Sequence, residues 1–174
     1  IAARYIFNPG STIVTKGNTV NTLQDTWTNE LIGLLNLGVC VGDWAKGQLT
    51  IEAHLIGDPT FAFAPQKEIL GGFDIARAIV TEKNNVSYWK KVLNADIASE
   101  AKALAIQMLH NNNAITSSEL LEIAKTNPYS HVRLEAFMTN KQIADENLVE
   151  AIKIALKDNY EITQRMAMIT AGKN

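Results

Sequence analysis

The second half of this chain repeats itself, and that repetition limits what it can fold into. Short amphipathic stretches come in pairs: Val86 to Leu93 then Ile97 to Leu109, Ser118 to Lys125 then Tyr129 to Met138, Glu146 to Leu156 then Tyr160 to Ile169. Ile97, Tyr129 and Tyr160 mark second stretches that begin at an almost constant interval, and the pair starts keep nearly the same step. The breaks carry turn and capping residues: Asn94-Ala95-Asp96, Asn127-Pro128 and Asp158-Asn159. Asn111-Asn112-Asn113 and Asn140 fall between pairs. Many of the sixteen asparagines sit at such boundaries, where their side chains compete for backbone hydrogen bonds. A helix pair of this size cannot bury its apolar face alone, so successive pairs must stack. The spacing predicts about three helical hairpins over residues 74–174, an α-solenoid.

Within this part, Asn127-Pro128-Tyr129-Ser130-His131-Val132-Arg133-Leu134-Glu135-Ala136 resembles the inter-helix segment of HEAT-like repeats. There a polar turn leads into a helix that begins Val-Arg and continues with small and apolar positions. The resemblance implies an extended ridge that suits a protein or peptide ligand.

Composition narrows the function classes. The net charge is −2 and no block of like charge stands out, which argues against a nucleic-acid or membrane-surface protein. A single cysteine excludes an internal disulfide framework and a cysteine-rich zinc site. No apolar run reaches the roughly 18 residues needed to span a bilayer. The first residue is Ile1 rather than Met, and no secretory signal precedes the Asn8-Pro9-Gly10 turn. The expectation is a chain that begins inside a longer gene product, with anything catalytic lying upstream.

Residues 1–65 read differently. Ser11-Thr12-Ile13-Val14-Thr15 is β-branched and bounded by Gly10 and Gly17, which predicts a short strand. Val20, Leu23, Trp27, Leu31, Leu34 and Leu35 recur at helical spacing, with Asn18 or Asn21 as cap and Gly38 as the left-handed stop. A second helix is expected over 39–52, with Val41, Trp44 and Ala45 on one side, weakened by Gly42 and Gly47. Gly57-Asp58-Pro59 is a turn signal, and Phe61 and Phe63 alternate as on one face of a strand. The expected order is strand, helix, helix, turn, strand: a fragment of an α/β layer too small to cover both sheet faces. Residues 66–73, with Gly71-Gly72, read as a linker.

Leu55-Ile56-Gly57-Asp58-Pro59-Thr60-Phe61 is similar to the Leu-Leu-Gly-Asp-Pro-Thr-Leu segment near the end of the catalytic domain in gingipain-type cysteine peptidases. The preceding order of elements fits too, including the step Trp44-Ala45-Lys46. The resemblance covers residues 1–65, about a third of the chain. It implies a caspase-like α/β fold, thiolate chemistry and export. In that family the nucleophilic cysteine and its histidine precede this region, and neither has a matching position here.

No catalytic, cofactor-binding or metal-ligating residue is therefore assigned. Cys40 lies in the apolar run Leu37 to Val41 and reads as a buried packing residue. His54 has Glu52 and Asp58 nearby, but a metal site needs three or four ligands, and His110 and His131 stand in other helices. His131 is expected to cap or line a ridge. Asp58 reads as a turn residue, and Trp27, Trp44 and Trp89 as core. Lys83, Lys90 and Lys91 read as a solvated helix face, and the Asn85-Val86-Ser87 tripeptide carries no weight.

The expected architecture is mostly α with a small α/β part. Residues 1–65 form the C-terminal segment of a caspase-like domain, and 74–174 form HEAT-like repeats. The expected function is a fragment of a gingipain-like cysteine peptidase, or a degenerate homologue, lacking its dyad. Its repeats dock protein, and its first part adjoins the upstream part of its own domain. An open sheet edge would favour a homo-oligomer. The alternative is a non-enzymatic helical-repeat scaffold. A third reading is one compact helical adaptor in which the Gly-Asp-Pro match is chance.

Overall fold

Turn residues and hydrophobic period divide this chain into a small mixed unit and a helical one. The structure, a computed structural model, describes residues 6–7, 9–18, 31–47 and 53–172. The chain forms two compact units, Ile1–Thr81 and Glu82–Asn174. The boundary thus falls within the part read as helical repeat.

The first unit contains strand β1 (Val14–Asn18), a 3-10 helix (Ile32–Leu37), helix α1 (Val41–Lys46), strand β2 (Ala53–Gly57), a single 3-10 turn (Lys67–Ile69) and helix α2 (Ile75–Thr81). β1 and β2 pair antiparallel, with Val14 opposite Gly57, Lys16 opposite Leu55 and Asn18 opposite Ala53. This corrects the expected strands. The first begins at Val14 rather than at residue 11. Its partner precedes the Gly-Asp-Pro turn instead of following it, and residues 61–66 form no strand. The cause is local. Gly57 adopts a φ of 116°, and Pro59 offers no N–H to a ladder, so the chain leaves the sheet there. Asp58 N–H makes a last bond to the Ile13 carbonyl at 3.1 Å. The Phe61 and Phe63 rings still meet edge to face, 5.1 Å apart.

Of the helix expected from Val20 to Leu35, residues 19–30 lie outside the described residues, with Val20, Leu23 and Trp27. The described end, Ile32–Leu37, is 3-10. Gly38 closes it at a φ of 82°, as the left-handed stop predicts, and its N–H donates to the Leu35 carbonyl at 3.2 Å. The second expected helix is the short α1, which buries Val41 and Trp44 and ends at Gly47; residues 48–52 lie outside the described residues. In the stretch read as a linker, Gln66 N–H donates to the Asn36 carbonyl at 3.1 Å, and Leu70 is buried.

The second unit is three helix pairs in succession: α3 (Val86–Asn94) with α4 (Ser99–Asn111), α5 (Ser117–Thr126) with α6 (Ser130–Ile143), and α7 (Leu148–Ala155) with α8 (Glu161–Ala171). The first helices begin at positions 86, 117 and 148 and the second at 99, 130 and 161, so both series advance by one constant step. The pairs stack. α4 packs on α6 and α6 on α8, so the second helices form one row, and α5 packs on α7 beside it. Burial keeps the same step. Ala101, Val132 and Thr163 are all buried, and so are Ala105, Ala136 and Ala167. Trp89, Ile106, Leu120, Leu134 and Phe137 fill the space between helices. Trp89 is core, as read, and its indole N–H donates to the Glu82 carbonyl at 2.7 Å. The chain is thus mostly helical, with a small two-stranded antiparallel sheet.

Candidate functional site

The Gly-Asp-Pro turn is built as a joint within the first unit. The first N–H groups of any helix lack partners inside it. In α1 the Val41 N–H donates to the Phe61 carbonyl at 2.9 Å and the Gly42 N–H to the Pro59 carbonyl at 2.7 Å. The turn therefore caps the helix with its backbone. Asp58 holds the turn: its Oδ1 accepts from Thr60 N–H at 2.8 Å and from Thr60 Oγ1 at 2.6 Å. Those two bonds hold its carboxyl below the usual carboxylate range. Asp58 is exposed and its partners are its own turn, which is the structural role read from the sequence.

Cys40 departs from its reading. It is half-buried rather than buried, at the position before α1, and its thiol donates to Asp43 Oδ2 at 3.2 Å. Asp43 Oδ1 accepts from Lys46 Nζ at 2.6 Å. The hydrogen-bond partner of this thiol is thus a carboxylate rather than an imidazole. His54 is exposed on β2 opposite Gly17, His110 lies in the last turn of α4, and His131 is exposed in the first turn of α6. The His131 ring lies 5.6 Å from that of Tyr160. Among the described residues no group of three or more His, Cys, Asp or Glu could hold a metal ion. No described helix is long and apolar enough to cross a membrane.

Beside β1 the first unit has a shallow cavity of about 510 Å³, lined by Ile13, Lys16, Val41, Trp44, Phe61 and Phe63 among others. Lys16 Nζ stands 4.8 Å from the Trp44 ring centroid, and partial burial lowers its pKa.

In the second unit the polar groups gather at the seams between hairpins. Arg133, in the Val-Arg step at the start of α6, grips Asp158 in the turn of the next hairpin. Its Nε donates to Oδ2 at 2.7 Å and its Nη2 to Oδ1 at 2.9 Å. Nη1 donates back to the Asn127 and Pro128 carbonyls at 2.9 and 3.1 Å, and Nη2 also reaches Asn159 Oδ1 at 2.6 Å. Burial alone would raise the Asp158 carboxyl. The bonds from Arg133 and from Tyr160 N–H, with the guanidinium's charge, outweigh it and hold the group below the usual range. The hydrogen bond to Asp158 raises Arg133 further.

A second seam joins the start of α5 to the turn before α7. Asp145 Oδ2 accepts from Ser117 Oγ at 2.5 Å, Asn147 Nδ2 donates to that Oγ at 2.8 Å, and Asn140 Nδ2 donates to the Ser117 carbonyl at 3.2 Å. At the same end Thr116 and Glu119 form a capping box, and the Thr116 bonds lower the Glu119 carboxyl. Sequence reading named the Arg133 motif and the Asp158-Asn159 break without joining them.

A strip along the second-helix row stays partly exposed, although Met138 within it packs against the Phe137 core. It recurs at the hairpin step: Glu100 and Gln107 on α4, His131 and Met138 on α6, Ile162 and Ile169 on α8, all half-buried except the exposed His131. Within each helix the two stand two turns apart and share a face.

Against protein-family models, curated proteins and solved structures the chain has no match.

Proposed function

We propose that this chain is the closing segment of a gingipain-type peptidase-like domain without its catalytic dyad, carrying HEAT-like repeats that dock a protein ligand. The observation that carries the docking role is the partly exposed strip, repeated at the constant hairpin step on helices clamped by the Arg133–Asp158 pair. Rigid, evenly spaced side chains of mixed polarity suit an extended peptide or a helix face, because little order is lost on binding. The peptidase side of the reading rests on the Leu55 to Phe61 segment.

A second reading, a scaffold with no enzymatic ancestry, is favoured by one observation: β1 pairs antiparallel with the strand before the Gly-Asp-Pro turn, and residues 61–66 after it form no strand.

Both readings give docking, and peptide display on the purified chain tests it. Selected peptides should bind the unchanged protein and lose at least about tenfold in affinity on His131→Asp or Ile169→Asp, a loss of about 1.4 kcal/mol, with the urea midpoint unchanged. Peptides insensitive to both changes would overturn the docking strip. A fluorogenic peptide library should not be turned over by the isolated chain. Turnover that disappears on Cys40→Ser would overturn the missing dyad.

A further inference from the structure

The three hairpins share one design, so each position can be compared with its counterpart one repeat away. Phe137 on α6 is 1% exposed, covered by Ala151 and Ala155 of α7 and Ala167 of α8. Its counterpart in the first pair, Ile106, is 0% exposed. Its counterpart in the third pair, Met168, is 57% exposed. Neighbouring positions change in the same sense. Leu134 and Glu135 are buried, while Arg165 and Met166, one step on, are half-buried. Thr163, Ala167 and Thr170, which face inward, stay buried. The loss of cover is therefore confined to the side of α8 that, on α4 and α6, meets the following hairpin.

In a stack of helical repeats each pair covers the apolar face of its neighbour. This side of α8 keeps a large apolar residue at the position that seats the next pair. We propose that the Met168 face of α8 is an assembly face that takes a further helical hairpin of the same kind and step. That hairpin would set alanine-sized side chains over Met168 as Ala151, Ala155 and Ala167 are set over Phe137. The occupant is chosen by continuity with the two hairpin interfaces already present, which have one geometry and one step. The proposal rests on that stacking and is independent of any ligand on the partly exposed strip.

The test appends to the full chain one more hairpin, copied from residues 144–172, and follows peroxide oxidation of Met168 by peptide mass spectrometry. Exposed methionine oxidises readily and buried methionine slowly. In the unextended chain Met168 should oxidise fast. In the extended chain it should oxidise about tenfold slower, as packing removes it from solvent. Met168→Glu should leave the unextended chain folded, and in the extended chain it should expose the added hairpin to limited proteolysis. Equal oxidation rates in the two chains would overturn the proposal. So would protection of Met168 in the unextended chain that grows with protein concentration, since the occupant would then be a second copy. An added hairpin that stays docked in the Met168→Glu variant would overturn it as well.

Discussion

Arg133 and Asp158, on successive hairpins, meet as a two-pronged ion pair, with N–O distances of 2.7 and 2.9 Å. Their side chains are 12% and 4% exposed, so the pair is well removed from water. Arg133 also gathers the carbonyls of its own turn, so one guanidinium ties two successive hairpin turns together. A buried pair is poor evidence of net stability, but breaking it strands a charge.

Arg133→Ala should destabilise the second unit by about 3 kcal/mol in urea titration, because it leaves Asp158 buried without its cation. Asp158→Asn should cost less, since Arg133 keeps the Asn127 and Pro128 carbonyls and Asn159. Arg133→Lys should recover only part of the Arg133→Ala loss, since an ammonium cannot reproduce the planar fork. An Arg133→Ala cost below about 0.5 kcal/mol would mean that the seam contributes nothing.

Stability should also fall in acid. Asp158 and Glu119 are both held below their ordinary values in the folded chain. The unfolded chain, with carboxyl pKa values of about 4, therefore binds protons first as pH drops. The contribution of these groups is present above about pH 4 and is lost as pH falls through the lower folded values. Urea midpoints measured from pH 7 to 3 should decline, and the decline should be shallower in Asp158→Asn. An unchanged slope in that variant would remove Asp158 from the account.

The hairpins were legible because burial of a helix face leaves a period that sequence displays directly. Helix starts fell within a few residues of Val86, Ser99, Ser117, Ser130, Leu148 and Glu161. The sheet was less legible. Phe61 and Phe63 alternate as a strand would, yet their proximity comes from ring packing after a turn. The true partner strand, Ala53–Gly57, is short and has an exposed histidine in it, which leaves too little alternation to mark it. The Arg133–Asp158 seam left no periodic trace, because it joins two turns through space. The partly exposed strip could have been found by aligning the pairs at their repeat step, since Gln107, Met138 and Ile169 then share a column.

Phe137 and Met168 occupy equivalent positions and should respond in opposite ways to truncation. Phe137→Ala removes a side chain that three alanines cover, and should cost about 4 kcal/mol. Met168→Ala trims an exposed side chain and should fall within about 0.5 kcal/mol of the unchanged protein. Comparable costs at the two sites, measured by urea titration, would contradict the difference in their burial.

Gly42 tests the joint between the Gly-Asp-Pro turn and α1. A Cβ at this position would stand 2.9 Å from the Pro59 carbonyl oxygen and 3.0 Å from the Pro59 Cβ. The Gly42 N–H bonds that same carbonyl at 2.7 Å, so turn and helix cannot separate without losing the bond. Alanine would gain about 1 kcal/mol of helix propensity. The clash with backbone should outweigh this, leaving a net loss of about 1–2 kcal/mol. In Gly42→Ala, amide hydrogen exchange should accelerate over residues 39–47 and leave the second unit unchanged. Slower exchange there would show that the turn yields and that helix propensity decides the outcome.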